Sequence, residues 1–220
     1  GIYRPHLPWY VPQQYFDMFP LDTIQLPPLK EGDFERLSPR AKDIALRGAD
    51  ASGKGYHAHV IEAGQWKPAV QGYLASIAFA DAMLGRLLDA LEESDHADNT
   101  IVVVWSDHGW QLGEKDHWRK FALWENACRS VLMIHVPDEI GGMENGSSDG
   151  QACTRPVSLQ GIYPTLVDLC DLPAQDRIDG HSLKPLLADP TSDWEHVAIS
   201  TYDFGEFSVR DETFRYTIYI

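Results

Sequence analysis

Cysteine is scarce in this 220-residue chain, and the three present, Cys128, Cys153 and Cys170, stand at irregular spacing with no Cys-x-x-Cys pair. This excludes a disulfide framework and a cysteine-based zinc site. No apolar run approaches the roughly 18 residues of a membrane-spanning helix, so no membrane span is expected. Basic charge is short as well: 18 Lys and Arg face 33 Asp and Glu, a formal net charge of -15. That field repels phosphodiester backbones and anionic membrane surfaces, so no nucleic-acid partner is expected. The first residue is Gly1, no targeting segment follows it, and the chain stops on an alternating strand pattern at Phe214-Arg215-Tyr216-Thr217-Ile218-Tyr219-Ile220. Both ends read as cuts through a larger protein.

What is present is a folded composition, 44% hydrophobic with seven Trp, long enough for one full core and a small second lobe. Residues 1–40 hold Pro5, Pro8, Pro12, Pro20, Pro27, Pro28 and Pro39, which forbid long helices and predict an irregular loop region. From Lys67-Pro68 onward, Val70, Tyr73, Leu74, Ile77, Leu84, Leu87, Leu88 and Leu91 fall on one helical face, so a long helix is expected to end near Glu93-Ser94. Ile101-Val102-Val103-Val104-Trp105 then reads as a strand buried on both faces, of the parallel kind. A second strand signal follows at Val131-Leu132-Met133-Ile134-His135-Val136, then a flexible loop over 141–150 and a helix over 158–170. In that helix Pro164 must form a kink or lie in the first turn. Short alternating segments over 197–201 and 207–219 predict a small antiparallel sheet.

The chemistry is expected after the first strand, in Ser106-Asp107-His108-Gly109-Trp110. Open α/β sheets carry ligand sites at the carboxyl ends of their strands, and a glycine lets the backbone turn there. Asp107 and His108 are candidate metal ligands, although a carboxylate suits hard cations and an imidazole suits transition metals, so the pair names no metal. A capping Asp beside a surface His is the plainer reading. Glu114, Lys115, Asp116, His117, Arg119 and Lys120 follow as a charged cluster. Its cations and His117 could clamp a tetrahedral anion as substrate contacts; a solvated loop is the competing reading. His6, between Pro5 and Pro8, has its backbone stiffened on both sides and is a candidate for proton transfer or anion contact.

In order, Arg4-Pro5-His6-Leu7-Pro8-Trp9, then Ser106-Asp107-His108-Gly109-Trp110-Gln111-Leu112-Gly113-Glu114 with Trp118 and Lys120, resemble the type I sulfatases of the alkaline phosphatase superfamily. The iduronate-2-sulfatase-like branch is the nearest likeness. It continues through Ile162-Tyr163-Pro164-Thr165-Leu166, Asp179-Gly180-His181-Ser182-Leu183 and Phe207-Ser208-Val209-Arg210, and so covers nearly the whole chain. The resemblance implies an α/β fold: the C-terminal part of an alkaline-phosphatase-like mixed sheet flanked by helices over 1–190, and the start of a small antiparallel subdomain over 191–220.

By the same resemblance Asp107 and His108 are two ligands of a Ca²⁺ that holds the sulfate group. Lys120 contacts the ester oxygens, and His6 lies across from it as a sulfate contact and proton donor to the leaving alcohol. His117 joins them as a substrate contact for which the family supplies no role. The family nucleophile is a formylglycine made within Cys/Ser-x-Pro-x-Arg, and no cysteine or serine of this chain begins that motif. The nucleophile and the paired aspartates that complete the calcium site are expected upstream, so the chain alone is expected to be inactive and poorly stable. The implied activity is sulfate-ester hydrolysis on a small molecule or saccharide, in periplasmic, secreted or lysosomal space. A phosphatase or phosphonate hydrolase of the same superfamily, and an inactive sulfatase-like binding module, are the alternatives.

Overall fold

A computed structural model describes residues 1–47, 54–138, 140–143, 147–148 and 150–220. Within these the helices are α1 (Gln13–Asp17), α2 (Pro39–Ala45), α3 (Tyr56–Glu62), α4 (Trp66–Glu92), α5 (Glu125–Cys128), α6 (Ile162–Leu169) and α7 (Lys184–Ala188). The strands are β1 (Val102–Trp105), β2 (Gln111–Leu112), β3 (Trp118–Arg119), β4 (Leu132–His135), β5 (Ala198–Asp203), β6 (Glu206–Arg210) and β7 (Arg215–Ile218). They fall into two compact units, Gly1–Asp95 with Trp110–Lys120, and His96–Gly109 with Phe121–Ile220.

In the first unit the prolines leave just the five-residue α1 before α2, which begins where Ser38 accepts a hydrogen bond from the Ala41 N–H at 3.3 Å and Pro39 takes the first helical position. The helix expected from Lys67-Pro68 is α4, 27 residues long, with Pro68 in its first turn. Its contact face differs from the leucine stripe. The buried positions are Val70, Gly72, Ala75 and Ser76, and Ile77, Leu87 and Leu88 remain exposed. Small residues decide this: a Cβ at Gly72 would lie 3.1 Å from the Trp9 ring, so the proline-rich loop rests directly on the helix. Gln71 fixes the same loop by donating to the Phe19 carbonyl at 2.8 Å, and Tyr15 meets Phe79 edge-on at 5.4 Å.

The charged cluster at 114–120 is not a solvated loop. It is a β2–β3 hairpin, Gln111 opposite Arg119 and Leu112 opposite Trp118, closed by a short 3-10 turn at Glu114–Asp116. The reason is the pair inside it, since His117 and Trp118 are 3% and 6% exposed. His117 donates Nδ1–H to the Ala45 carbonyl at 3.1 Å. The Trp118 indole donates to His57 Nδ1 at 3.0 Å, and the Trp66 indole donates to the Leu112 carbonyl at 2.7 Å.

In the second unit β1 lies where the strand was expected, but its partner is β4 and the pair is antiparallel, with Val104 opposite Met133. It is also only half-buried, with Trp105 and Met133 exposed. A continuous β-branched run reports sheet formation without fixing strand direction, and a mixed sheet accommodates an antiparallel pair. Behind β4, Val136, Met143 and Leu169 form a buried cluster. The expected helix at 158–170 divides into a 3-10 turn, Leu159–Gly161, and α6, with Pro164 in the first turn rather than at a kink. Buried Thr165 joins α6 to the segment after Asp179-Gly180, donating to the Gly161 carbonyl at 2.5 Å and accepting from the Leu183 N–H at 2.8 Å. The expected loop over 141–150 lies partly outside the described residues; Ile140–Gly142 forms a 3-10 turn.

The late alternating segments form the antiparallel meander β5–β6–β7. Its inward row is polar, Ser200, Ser208 and Thr217 in register, with Ser208 fully buried. Arg215 explains this by donating to Ser208 at 3.0 Å and to the Glu125 carboxylate of α5 at 2.8 Å. Ile199 and Tyr216 face outward instead.

Burial holds the His57 and His117 imidazoles below their ordinary 6.5, against the raising influence of Asp116 and Glu114 at His57 and of the Ala45 hydrogen bond at His117. Below pH 6.5 the unfolded chain therefore binds protons that the folded chain refuses. Stability is predicted to fall as pH drops below 6.5 and to level off once the depressed folded values are passed. The slope is at most about 1.4 kcal/mol per pH unit for each histidine. Urea denaturation at a series of pH values measures it; His117→Asn should flatten the slope.

Candidate active site

The strand end is built by two backbone hydrogen bonds and one from a side chain. The Ser106 N–H donates to the Val131 carbonyl at 3.0 Å, extending the β1–β4 pairing by one step, and the Ser106 hydroxyl donates to the His108 carbonyl at 2.8 Å. The Gly109 N–H then donates to the Ala127 carbonyl of α5 at 2.8 Å. At Gly109 the backbone is pressed so close to α5 that a Cβ would lie 2.0 Å from the Asn126 carbonyl oxygen and 2.9 Å from that of Arg129. No side chain fits there, so this position demands glycine.

That turn presents Asp107 and His108. The Asp107 carboxylate is largely exposed, and His108 donates Nδ1–H to the Gly109 carbonyl at 2.7 Å. Fixing Nδ1 in this way sets the tautomer and makes Nε2 the nitrogen with a lone pair. It lies 3.6 Å from Asp107 Oδ2, so the two donor atoms converge. The arrangement suits a shared cation as two ligands of a larger set. Calcium takes six to eight ligands, chiefly oxygen, and among the described residues no group of three or more His, Cys, Asp or Glu could hold a metal.

His6, Lys120 and His117 belong to the first unit. His6 also donates Nδ1–H to the carbonyl of its following residue, Leu7, at 2.7 Å, leaving Nε2 as the working nitrogen. The Tyr3 hydroxyl lies 2.8 Å from His6 Nδ1 and donates to the same carbonyl at 3.0 Å. The His6 ring meets Trp110 edge-on at 5.8 Å; Trp110 stacks on Tyr73 at 6.2 Å, and Tyr73 meets Trp9 at 6.1 Å. Aromatic residues thus wall His6 on the side of the Trp110 motif. Burial, followed by the Glu114 carboxylate, pushes the Tyr73 phenol above its ordinary range, so it stays neutral.

Lys120 follows β3 directly and is partly buried, whereas His117 is enclosed within the unit. Around them Lys115, Asp116 and Arg119 all adopt positive φ, 55°, 56° and 78°. For side-chain-bearing residues that costs roughly 1–2 kcal/mol each, and such strain collects at functional sites. Lys115 is held in place by a 2.7 Å ion pair to Asp33. Sequence reasoning missed Tyr3, His57 and Trp66. Tyr3 and His57 carry no spacing signal, whereas Trp66 beside Lys67-Pro68 marks where α4 starts.

The fold is shared with a phosphonate monoester hydrolase from Silicibacter pomeroyi, with a TM-score of 0.81 at 24% identity, covering 98% of this chain and 46% of that one. The two share a mixed α/β fold. The sulfatase family profile matches residues 2–172, and the chain belongs to that family. A sulfatase of Formosa agariphila is 38% identical over 219 residues, all of this chain and 41% of the relative. Human iduronate 2-sulfatase is 28% identical over 199 residues, covering 80% of this chain and 36% of the relative. The chain therefore spans about two fifths of the length of these relatives.

Gly109→Ala is predicted to destabilise the second unit by about 3 kcal/mol, because backbone rather than a flexible side chain must give way. Thermal denaturation reads the loss. Gly85→Ala, at a helical glycine with nothing within 4 Å of a Cβ, is the control expected to change little or to stabilise.

Proposed function

We propose that the protein hydrolyses sulfate esters, and that Asp107, His108, His6 and Lys120 are the part of the machinery carried by this chain. The observation that carries the reading is the Asp107–His108 pair, whose Oδ2 and Nε2 atoms converge at 3.6 Å at a strand end, in a chain of the sulfatase family. Members of that family use formylglycine and a metal ion. Asp107 and His108 would hold a Ca²⁺, which when bound supplies positive charge against the sulfate oxygens. No cysteine or serine of this chain begins the formylglycine motif.

The chain's own residues then have distinct tasks. His6 keeps Nδ1–H anchored on the Leu7 carbonyl, which leaves Nε2 to work; as imidazolium it gives its Nε2–H proton to the leaving alcohol oxygen as the S–O bond breaks. The Lys120 ammonium binds the ester oxygens by charge. His117 backs the hairpin that carries Lys120, because its ring is enclosed and its Nδ1–H is committed to Ala45. The substrate is a sulfated small molecule or saccharide, handled in periplasmic, secreted or lysosomal space, with a subdomain boundary near residue 190. A phosphonate substrate has no support beyond a shared fold.

The test is p-nitrophenyl sulfate hydrolysis by the protein expressed from its complete reading frame. His6→Ala is expected to lower kcat by about 10²–10⁴-fold, with the loss shrinking for better leaving groups. Lys120→Ala is expected to lower kcat/KM by about 10²–10³-fold whatever the leaving group. Turnover of a phosphonate monoester with none of the sulfate ester would overturn the reading.

A further inference from the structure

Lys120 can meet a sulfate group only if the hairpin before it is held in place, and the residue seated against that hairpin is His57, at the start of α3. His57 is 8% exposed. Its ring meets Trp66 edge-on at 4.8 Å and lies over Trp118 at 6.4 Å, and a Cβ on Gly113 would stand 2.9 Å from its Cε1 atom. Three parts of the 111–119 hairpin therefore bear on one imidazole: the Gly113 backbone, the Trp118 indole and the Asp116 carboxylate, whose Oδ1 lies 3.8 Å from Nε2.

The hydrogen bonding runs opposite to that of the other histidines described here. His6, His108 and His117 all donate Nδ1–H to backbone carbonyls, whereas His57 Nδ1 accepts the Trp118 indole N–H at 3.0 Å. An indole N–H can only donate. Nδ1 must therefore be deprotonated, and the single ring proton sits on Nε2, toward Asp116. A protonated ring would turn an N–H against the indole N–H and leave a buried donor unmatched, which costs more than the bond contributes.

We propose that His57 is a positioning residue for Lys120: by accepting the Trp118 indole N–H inside a wall made by Trp66 and Gly113, it seats the β2–β3 hairpin and sets where the Lys120 ammonium stands. This rests on the reading of Lys120 as the sulfate contact. The groups facing His57 are Trp66 at the start of α4, and Gly113, Asp116 and Trp118 of the hairpin, with Glu114 adding its charge. Burial holds the ring neutral against those two carboxylates. Acid is thus expected to release Trp118 and, with it, Lys120.

The experiment uses the protein from the complete reading frame, labelled with ¹⁵N-Trp and ε-¹³C-Lys, with Trp118 and Lys120 signals assigned by their loss in Trp118→Phe and Lys120→Met. His57→Asn keeps an acceptor near the Nδ1 position and His57→Leu removes it. At pH 8 the Trp118 and Lys120 signals should stay in place in His57→Asn and both be displaced in His57→Leu. Between pH 8 and pH 5 they should move together in the unsubstituted protein, and further than in His57→Asn, where of the two buried imidazoles only His117 still titrates. In p-nitrophenyl sulfate turnover His57→Leu should lose about a hundredfold in kcat/KM, the scale of a misplaced contact group, and His57→Asn should recover most of it.

A Lys120 signal unmoved in His57→Leu while that of Trp118 shifts would overturn the proposal, as would His57→Asn turning over no better than His57→Leu. If His57→Leu fails to fold, the pH series on His57→Asn decides by itself. Absence of turnover in the unsubstituted protein with both signals behaving as expected would remove the sulfatase reading and leave the seating of Lys120 standing.

Discussion

Gly109 has no space for a side chain, and the site at the end of β1 depends on that fact. Its N–H is committed to Ala127, and its α-carbon is pressed against the carbonyls of Asn126 and Arg129. The chain can leave the strand only along this path. Along it the His108 Nδ1–H finds the Gly109 carbonyl, and Nε2 turns to the Asp107 carboxylate. A close backbone approach thus fixes a tautomer, and the tautomer leaves the Nε2 lone pair beside the Asp107 carboxylate. Helix α5, which supplies the opposing carbonyls, is tied in turn to the C-terminal meander by the Arg215–Glu125 ion pair. The late strands therefore reach α5 through Arg215 and Arg210, both paired with Glu125.

The first unit solves a related problem with aromatic rings. The region before α2 is too rich in proline for a long helix, so its loop is held by single contacts: Trp9 against Gly72, Gln71 to the Phe19 carbonyl, and His6 between Tyr3 and Trp110. The hairpin that ends at Lys120 is held by indole and imidazole bonds buried with His57 and His117. Both arrangements put polar hydrogen bonds where leucines would stabilise more cheaply. The return is orientation, because a hydrogen bond to a ring nitrogen defines direction as well as distance.

Legibility in the sequence followed the range of the signal. The 27-residue α4 was readable because a 3.6-residue period persists over seven turns, and the β5–β6–β7 meander because its alternation is local. Asp107 and His108 were readable because strand, carboxylate, imidazole and glycine are contiguous. The partner of β1 was not, since a run of valines is compatible with either strand direction and the choice is made by β4, some thirty residues away. The exposure of Ile77, Leu87 and Leu88 on the α4 stripe was misjudged because periodicity reports what a face can bury, while Gly72, Ala75 and Ser76 decide what approaches it. His57 was invisible because its meaning comes from Trp118, 61 positions later. The roles proposed for His6 and Lys120 rest on the family resemblance, since no local pattern carries them.

The central claim is that the Gly109 turn offers Asp107 and His108 as part of a calcium site in a sulfatase-family protein. Calcium titration by calorimetry tests it most directly, comparing the 220-residue chain with the protein from the complete reading frame and with that protein carrying Asp107→Asn or His108→Ala. The account predicts weak or absent binding to the 220-residue chain, saturable binding to the complete protein, and a drop of at least tenfold in affinity for either variant. Calcium binding unchanged in both variants would contradict it.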